Sequence, residues 1–327
     1  MTGWKKFRHR LEYFGLLLFA RTVPLLSRKA CVRVANFLGR AIFLLDRRGR
    51  AVALANIEAA LGDAHSPAQR RKIARASFQN FARTMIDLFW SPRLTPQNHT
   101  RYIHFVGEEV AREVQKNGRG AVVIGTHFAG FEWAAMACAY RGLAGRVLTE
   151  AFKNPSLDGI FASLREWTGH HTITQDFSML KLFKHVKRGG IVGLLIDLNI
   201  PPTQAATVIG EFGMKTCATF VHAVLAQRSG APLVPFTSEP QPDGTCRVIL
   251  RAPLSIPPDA TPQQATQACW DFFEKLIRAD PGRWMWAYKH WRYKPVAEER
   301  SYPFYARESP KFEQLLAATK VQAEMSE

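Results

Sequence analysis

Metal-binding and disulfide patterns are missing from this chain. Its five cysteines (Cys31, Cys138, Cys217, Cys246, Cys269) are widely spaced, form no CxxC and have no histidine at zinc-ligand spacing. That argues against a disulfide framework and against a metal centre, and fits a reducing, cytosol-facing setting. There is no GxSxG elbow to carry a nucleophilic serine, no RNP, KH, helix-turn-helix or zinc signature, and no internal repeat or low-complexity tract. Long clean apolar runs are also lacking. The stretch from Leu11 to Leu26 is broken by Arg21 before it reaches the ~18 apolar residues of a spanning helix, and no signal-peptide cleavage site follows it.

Acidic residues are scarce as well: 27 Asp and Glu stand against 44 Lys and Arg in 327 residues, a formal net charge of +17. Such a balance calls for an anionic partner, whether nucleic acid, anionic lipid or an acidic carrier protein. The first 60 residues hold twelve basic and three acidic side chains. There Trp4, Phe7, Leu11, Phe14 and Leu18 recur at steps of three and four beside Lys5, Lys6, Arg8 and Arg10. The pattern is that of a helix lying in a membrane interface, with Arg21 snorkelling to the headgroups; an amphipathic helix packed on the domain has the same pattern.

With 47% hydrophobic residues the chain can bury a sizeable core. Residues 1–27 read as the amphipathic membrane-associating segment and 28–310 as a single domain, helical over 28–95 and α/β over 100–310; a polar tail occupies 311–327. The α/β reading rests on short apolar runs alternating with helical periodicity. Strands are expected at Tyr102–Val106, Ala121–Gly125, Arg146–Thr149, His171–Thr174 and Ile191–Ile196, with helices between them and mostly parallel pairing. Further on, Thr216–Gln227 reads as a helix, Pro232–Ser238 and Arg247–Ala252 as strands, and Pro262–Arg278 as a long amphipathic helix. The aromatic–cationic cluster of Trp284, Trp286, Trp291, Lys289, His290 and Arg292 resembles single-strand nucleic-acid platforms. Its plainer reading is a buried strand flanked by interfacial tryptophans.

One stretch carries chemistry. In GTHFAGFEW, His127 follows the strand AVVIG and Glu132 opens the next helix, at the carboxyl edge where parallel sheets place ligands. The His-x4-acid spacing alone is weak: composition predicts about one such match by chance, and His104 with Glu109 and His171 with Asp176 share it. Those two lack the strand-to-helix turn and the adjoining glycines, Gly125 and Gly130. A carboxylate on one imidazole nitrogen fixes the tautomer, and the other nitrogen then takes a proton from an attacking hydroxyl. His127 and Glu132 are therefore the expected catalytic pair, acting by general-base acyl transfer without an acyl-enzyme.

Together with RRGRAVALANIEAAL, KNPSLD, LREWTG, VGLLIDLN, VIGEFGMKT, APLVP and DPGRWMWAYKHWRY, this stretch makes most of the chain resemble the lipid A biosynthesis late acyltransferases, relatives of the lysophospholipid and glycerol-phosphate acyltransferases. The resemblance implies a membrane-associated α/β enzyme on the cytoplasmic face of the inner membrane. It would move a fatty acyl chain from acyl carrier protein, or acyl-CoA, to a hydroxyl of a lipid A precursor or related glycolipid. No cofactor or metal, no nucleic acid and a monomeric state are implied. It also assigns Arg165 and Asp197 beside the pair, and Lys153 and Asn154 in the NP motif, as substrate-binding residues. From the residues alone, Arg165 equally fits a solvated helix face, and Asp197 a helix cap or turn. Where the family commonly reads HFGNWE this chain has HFAGFE, and Glu150 stands where an arginine is common. A lysophospholipid or an amino-acid lipid is thus a second acceptor class, and a non-catalytic basic binder or a hydrolase are the rival functions.

Overall fold

The computed structural model describes residues 3–174, 179–203, 205–296 and 300–324; Asp176, partner in one of the His-x4-acid matches, lies outside them. Four helices come first: α1 (Gly3–Thr22), α2 (Arg28–Leu45), α3 (Arg47–Leu61) and α4 (Pro67–Trp90). Ser27 caps α2 through its side chain, and Ser66 with Gln69 forms a capping box that starts α4 next to Pro67. These bonds satisfy amide groups that an unfinished helix end leaves open. Between α2, α4 and the later helix that bears Trp133 sits a buried cation: Arg28 pairs with Asp87 and lies over the rings of Trp90 and Trp133 at 4.6 and 4.5 Å. Arg83 also holds Asp87, so two buried guanidinium groups share a single carboxylate.

The α/β part follows as β1 (Ile103–Val106), α5 (Glu108–Asn117), β2 (Ala121–Gly125), α6 (Phe131–Cys138), β3 (Arg146–Thr149), α7 (Asp158–Glu166), β4 (His171–Thr174), α8 (Met179–Lys187) and β5 (Ile191–Leu195). Then come β6 (Ala206–Glu211), β7 (Met214–Thr219), α9 (Val221–Ser229), β8 (Leu233–Pro240), β9 (Cys246–Leu250), α10 (Pro262–Ala279), β10 (Tyr293–Lys294), β11 (Arg307–Glu308) and α11 (Pro310–Glu324). Seven strands form the central sheet in the order β1-β9-β8-β2-β5-β3-β4. Every pair is parallel except β8 with β9, so the expected mostly parallel sheet flanked by helices holds. All five residues of β2 are buried, as a strand covered on both faces requires. One face packs on α5, α6 and α7 through a core that includes Val123, Ala134 and Leu164; the other packs on α8, α9 and α10 through Val122, Leu182, Leu225 and Phe273.

Two expectations need correction. The helix read from Thr216 begins only at Val221, because Met214–Thr219 pairs with Ala206–Glu211 as an antiparallel hairpin. Its two-residue turn places Phe212 at φ 51° and Gly213 at φ 80°, the primed-turn geometry that hairpins favour. The strand read through the tryptophan cluster does not form, apart from a single bridge between Phe128 and Trp284. Nor are its tryptophans interfacial. Trp284, Trp286 and Trp291 are fully buried around the Phe212 ring, and the Trp286 indole donates to the Pro281 carbonyl. Those rings close the core between the hairpin and the amino-terminal helices.

On α1, Trp4, Phe7, Leu11, Phe14 and Leu18 are 58–72% exposed, while His9 is buried. Asn154 donates to the His9 carbonyl and to Glu12, both at 3.0 Å, which docks the helix with its apolar stripe outward. Among the described residues no helix is long and apolar enough to cross a membrane. At the other end, Phe312 of α11 is buried with Val208, Cys217 and Tyr293.

Candidate active site

His127 leaves the carboxyl end of β2 on a tight turn whose shape depends on two glycines in different ways. Gly130, at φ 81°, caps α6 in the left-handed region that side chains avoid, and its amide donates to Thr84 at 2.8 Å. Gly125 is not in that region; a Cβ there would lie 2.4 Å from the Phe236 ring, so packing demands the glycine. The turn is pinned further by the Ala129 amide on the Arg283 carbonyl and the Ser238 hydroxyl on the Ala129 carbonyl.

The carboxylate that reaches His127 belongs to Asp197, just beyond the neighbouring strand β5. Asp197 Oδ1 is 2.8 Å from His127 Nδ1, and its Oδ2 accepts the His127 backbone N–H at 2.9 Å and the Trp284 indole N–H at 2.8 Å. Asp197 is fully enclosed, whereas the imidazole side chain keeps 16% of its surface. Burial pushes the Asp197 carboxyl upward, but the His127 charge and these hydrogen bonds outweigh it and hold the group below the ordinary carboxylate range. The aspartate is therefore ionised and takes the proton-bearing Nδ1, which leaves the lone pair on Nε2.

Glu132, expected on His127, has a different partner. Arg165 of α7 forks onto it, Nε at 3.1 Å from both oxygens and Nη2 at 2.6 Å from Oε1. Burial depresses the guanidinium, and the Glu132 charge and hydrogen bond more than restore it, so Arg165 stays cationic. The structure brings His127, Glu132, Arg165 and Asp197 to one cleft but links them as two pairs, His127 with Asp197 and Arg165 with Glu132. It separates the other two residues assigned by resemblance. Asn154 is buried and committed to α1, and Lys153 is exposed beside it.

Trp284 is a site residue that the reading of the sequence missed. Stacked on it at 3.9 Å is His290, which burial pushes down to about 4 and so keeps neutral. Glu211, 4.0 Å from His290, is pushed well above the carboxylate range by burial and by Asp197 and Glu274. The only signal in the sequence was the bunching of tryptophan with histidine, which reads equally well as core.

His127, Glu132 and Arg165 line a cavity of about 640 Å³ whose remaining walls are largely aliphatic, among them Val123, Ala135, Leu143, Ile191 and Leu194. Glu150 also borders it. An imidazole paired with a carboxylate on the wall of a hydrocarbon-lined cavity suits reactions of a long apolar substrate. Among the described residues no group of His, Cys, Asp and Glu could hold a metal ion.

The chain belongs to the bacterial lipid A biosynthesis acyltransferase family, whose model matches residues 2–293, and is therefore an acyltransferase. It is similar to a lipid A biosynthesis lauroyltransferase of Escherichia coli (strain K12), with 24% identity over 305 residues covering 88% of this chain and 93% of that protein.

Proposed function

We propose that the protein transfers a fatty acyl chain from an acyl carrier protein thioester, or acyl-CoA, to a hydroxyl of a lipid A precursor or related glycolipid at the cytoplasmic face of the inner membrane. The observation that carries this reading is the His127–Asp197 pair, with its imidazole on the wall of the apolar cavity. His127 Nε2 removes the proton from the acceptor hydroxyl as its oxygen bonds to the thioester carbonyl. The C–S bond then breaks, the imidazolium returns its proton to the departing thiolate, and ester and thiol leave. Asp197 holds the tautomer and stabilises the imidazolium, the task of the acid in hydrolase triads. Glu132 and Arg165 brace the cavity wall. Arg165 Nη1 is not engaged by Glu132 and is available to a phosphate on either substrate.

The outward stripe of α1, with its flanking lysines and arginines, supports seating on an anionic bilayer. Glu150 on the cavity wall favours an acceptor without a phosphate at that point, which keeps an amino-acid lipid as the second reading. The test is to supply radiolabelled acyl carrier protein thioester to the full-length protein in micelles containing candidate acceptors and to resolve the products. Labelled glycolipid is expected from the wild type and none from His127→Ala. Transfer by His127→Ala at the wild-type rate would refute the assignment.

A further inference from the structure

The cavity touches both faces of the central sheet. Val123 and Ile191 belong to the core cluster under α6, whereas Leu194 and Ile196 belong to the opposite cluster under α8 and α9, and Leu148 packs against that second cluster. All five line the same cavity. A continuous sheet would prevent this, but the ladder between β3 and β5 ends early. The two strands pair only at Arg146 with Val192 and Val147 with Gly193. Past that point β3 stays with β4 through Leu148 and Thr149, and β5 stays with β2 through Leu194 and Leu195. The strands part there, and the cavity has an apolar lobe on each face of the sheet, with His127 part of its lining.

The lobes differ in chemistry. Under α6 the floor has a trough at Gly193, whose left and right neighbours in register are Val123 and Val147. A Cβ at Gly193 would meet only Val147 Cγ2, at 3.5 Å, and the backbone needs no glycine there. A strand-interior glycine that neither packing nor backbone requires marks the close approach of something else. This lobe also meets His170, whose polar atoms are engaged: Nε2 with the Ala135 carbonyl at 2.8 Å and Nδ1 with the Gly145 amide at 3.2 Å. His170 therefore offers no free ring nitrogen to a ligand, which suits a plain saturated chain beside it. The second lobe is bounded by Leu182, Val221 and His222. His222 is fully buried, and neither ring nitrogen has a hydrogen-bond partner. Burial pushes it down to about 4, so it is neutral, with one donor and one acceptor to offer.

We propose that the second lobe binds the hydrocarbon of the acceptor lipid, with His222 hydrogen-bonded to an uncharged polar group on that chain, while the lobe under α6 takes the acyl chain being transferred. The inference rests on the transfer reading above, since two lipid chains must meet at His127. A neutral imidazole matches a hydroxyl or an ester carbonyl and gives nothing to a bare methylene chain.

Binding decides it without turnover. Full-length protein in detergent is titrated with a saturated fatty acid and with a hydroxy fatty acid of the same length, each displacing a fluorescent fatty acid. His222→Leu should weaken the hydroxy acid about tenfold and leave the plain acid within twofold. Gly193→Val should weaken the plain acid. In the transfer assay His222→Leu and Val221→Phe should raise the acceptor KM about tenfold at unchanged donor chain-length preference, and Gly193→Val should move that preference to shorter donors. Equal loss of both ligands in His222→Leu, or no loss of either, overturns the proposal. So does a changed donor-length preference in His222→Leu. If the wild type forms no ester while the binding difference appears, the transfer reading has failed and the ligand site stands.

Discussion

Replacing Asp197 with asparagine tests the active site most sharply, because the hydrogen bonds around it dictate how the amide must sit. Oδ2 receives two N–H donors that cannot turn away, the His127 backbone amide and the Trp284 indole. The carboxamide oxygen must therefore take the Oδ2 position, since an NH2 there would face both donors. Its NH2 then points at His127 Nδ1. The imidazole responds by giving up the Nδ1 proton and carrying its hydrogen on Nε2, the atom that in the proposed reaction accepts a proton from the acceptor hydroxyl. The base is lost with the geometry intact. In a serine protease the equivalent exchange lowers kcat by about 10⁴, so Asp197→Asn should lower kcat by about 10³–10⁴, or ~4–5.5 kcal/mol of barrier. Both KM values should change little. Initial rates with labelled thioester donor measure it, with circular dichroism melts as the control for folding. If Asp197→Asn keeps more than a tenth of wild-type kcat while Glu132→Gln abolishes turnover, Glu132 is the imidazole's working partner and the reasoning is refuted.

Other outcomes follow from the same geometry. Arg165→Lys keeps the charge but cannot reproduce the fork on Glu132; kcat/KM should fall about ten- to a hundredfold, with about 1–2 kcal/mol less stability by denaturant titration. Gly130→Ala forces a side chain into the left-handed region against Pro240 and Cys246, and should cost about 1–3 kcal/mol in a thermal melt. Burial holds His222 and His290 neutral down to about 4, whereas the unfolded chain protonates them near 6.5. The unfolded state thus binds more protons in that window. Their share of stability is complete above about pH 6.5 and drains toward pH 4 by up to about 1.4 kcal/mol per pH unit for each histidine. Glu211, raised in the fold, acts in the opposite sense, its contribution falling as pH rises; the clean comparison is with wild type, and His222→Leu, which lacks one of the two histidines, should give the flatter curve between pH 6.5 and 4.

Strands β3 and β4 are placed by the alternation of strand and helix around them; β2 and β5, more fully buried, stand where their apolar runs put them, because a buried parallel strand writes itself into consecutive residues. The turn bearing His127 was legible for the same reason. Its carboxylate was not. Glu132 is close in the chain, but the start of α6 carries it toward Arg165, and Asp197 arrives from 70 residues away because β5 runs beside β2. The crossover that makes these strands neighbours is a tertiary fact that local spacing does not contain. The hairpin of β6 and β7 was hidden differently: its turn is Phe-Gly, and an aromatic residue at positive φ carries no turn signature. Phe212 holds that conformation because Trp270, Trp284, Trp286 and Trp291 surround its ring. Motif resemblance gathered Arg165 and Asp197 into the cleft but could not say which acid each group would meet.

Asn154 has a larger role than a ligand contact would give it. Its side chain ties the segment after Glu150 and Phe152, which border the cavity, to the backbone of α1. Two hydrogen bonds thus couple the segment beside the cavity to α1, and in the transfer proposed above the surface on which α1 rests would set the elevation of the imidazole. On that reading a lipid would be screened by the height at which its hydroxyl is presented as well as by its shape. Lengthening or shortening the polar spacer of an acceptor should change its use even where every atom near His127 is the same.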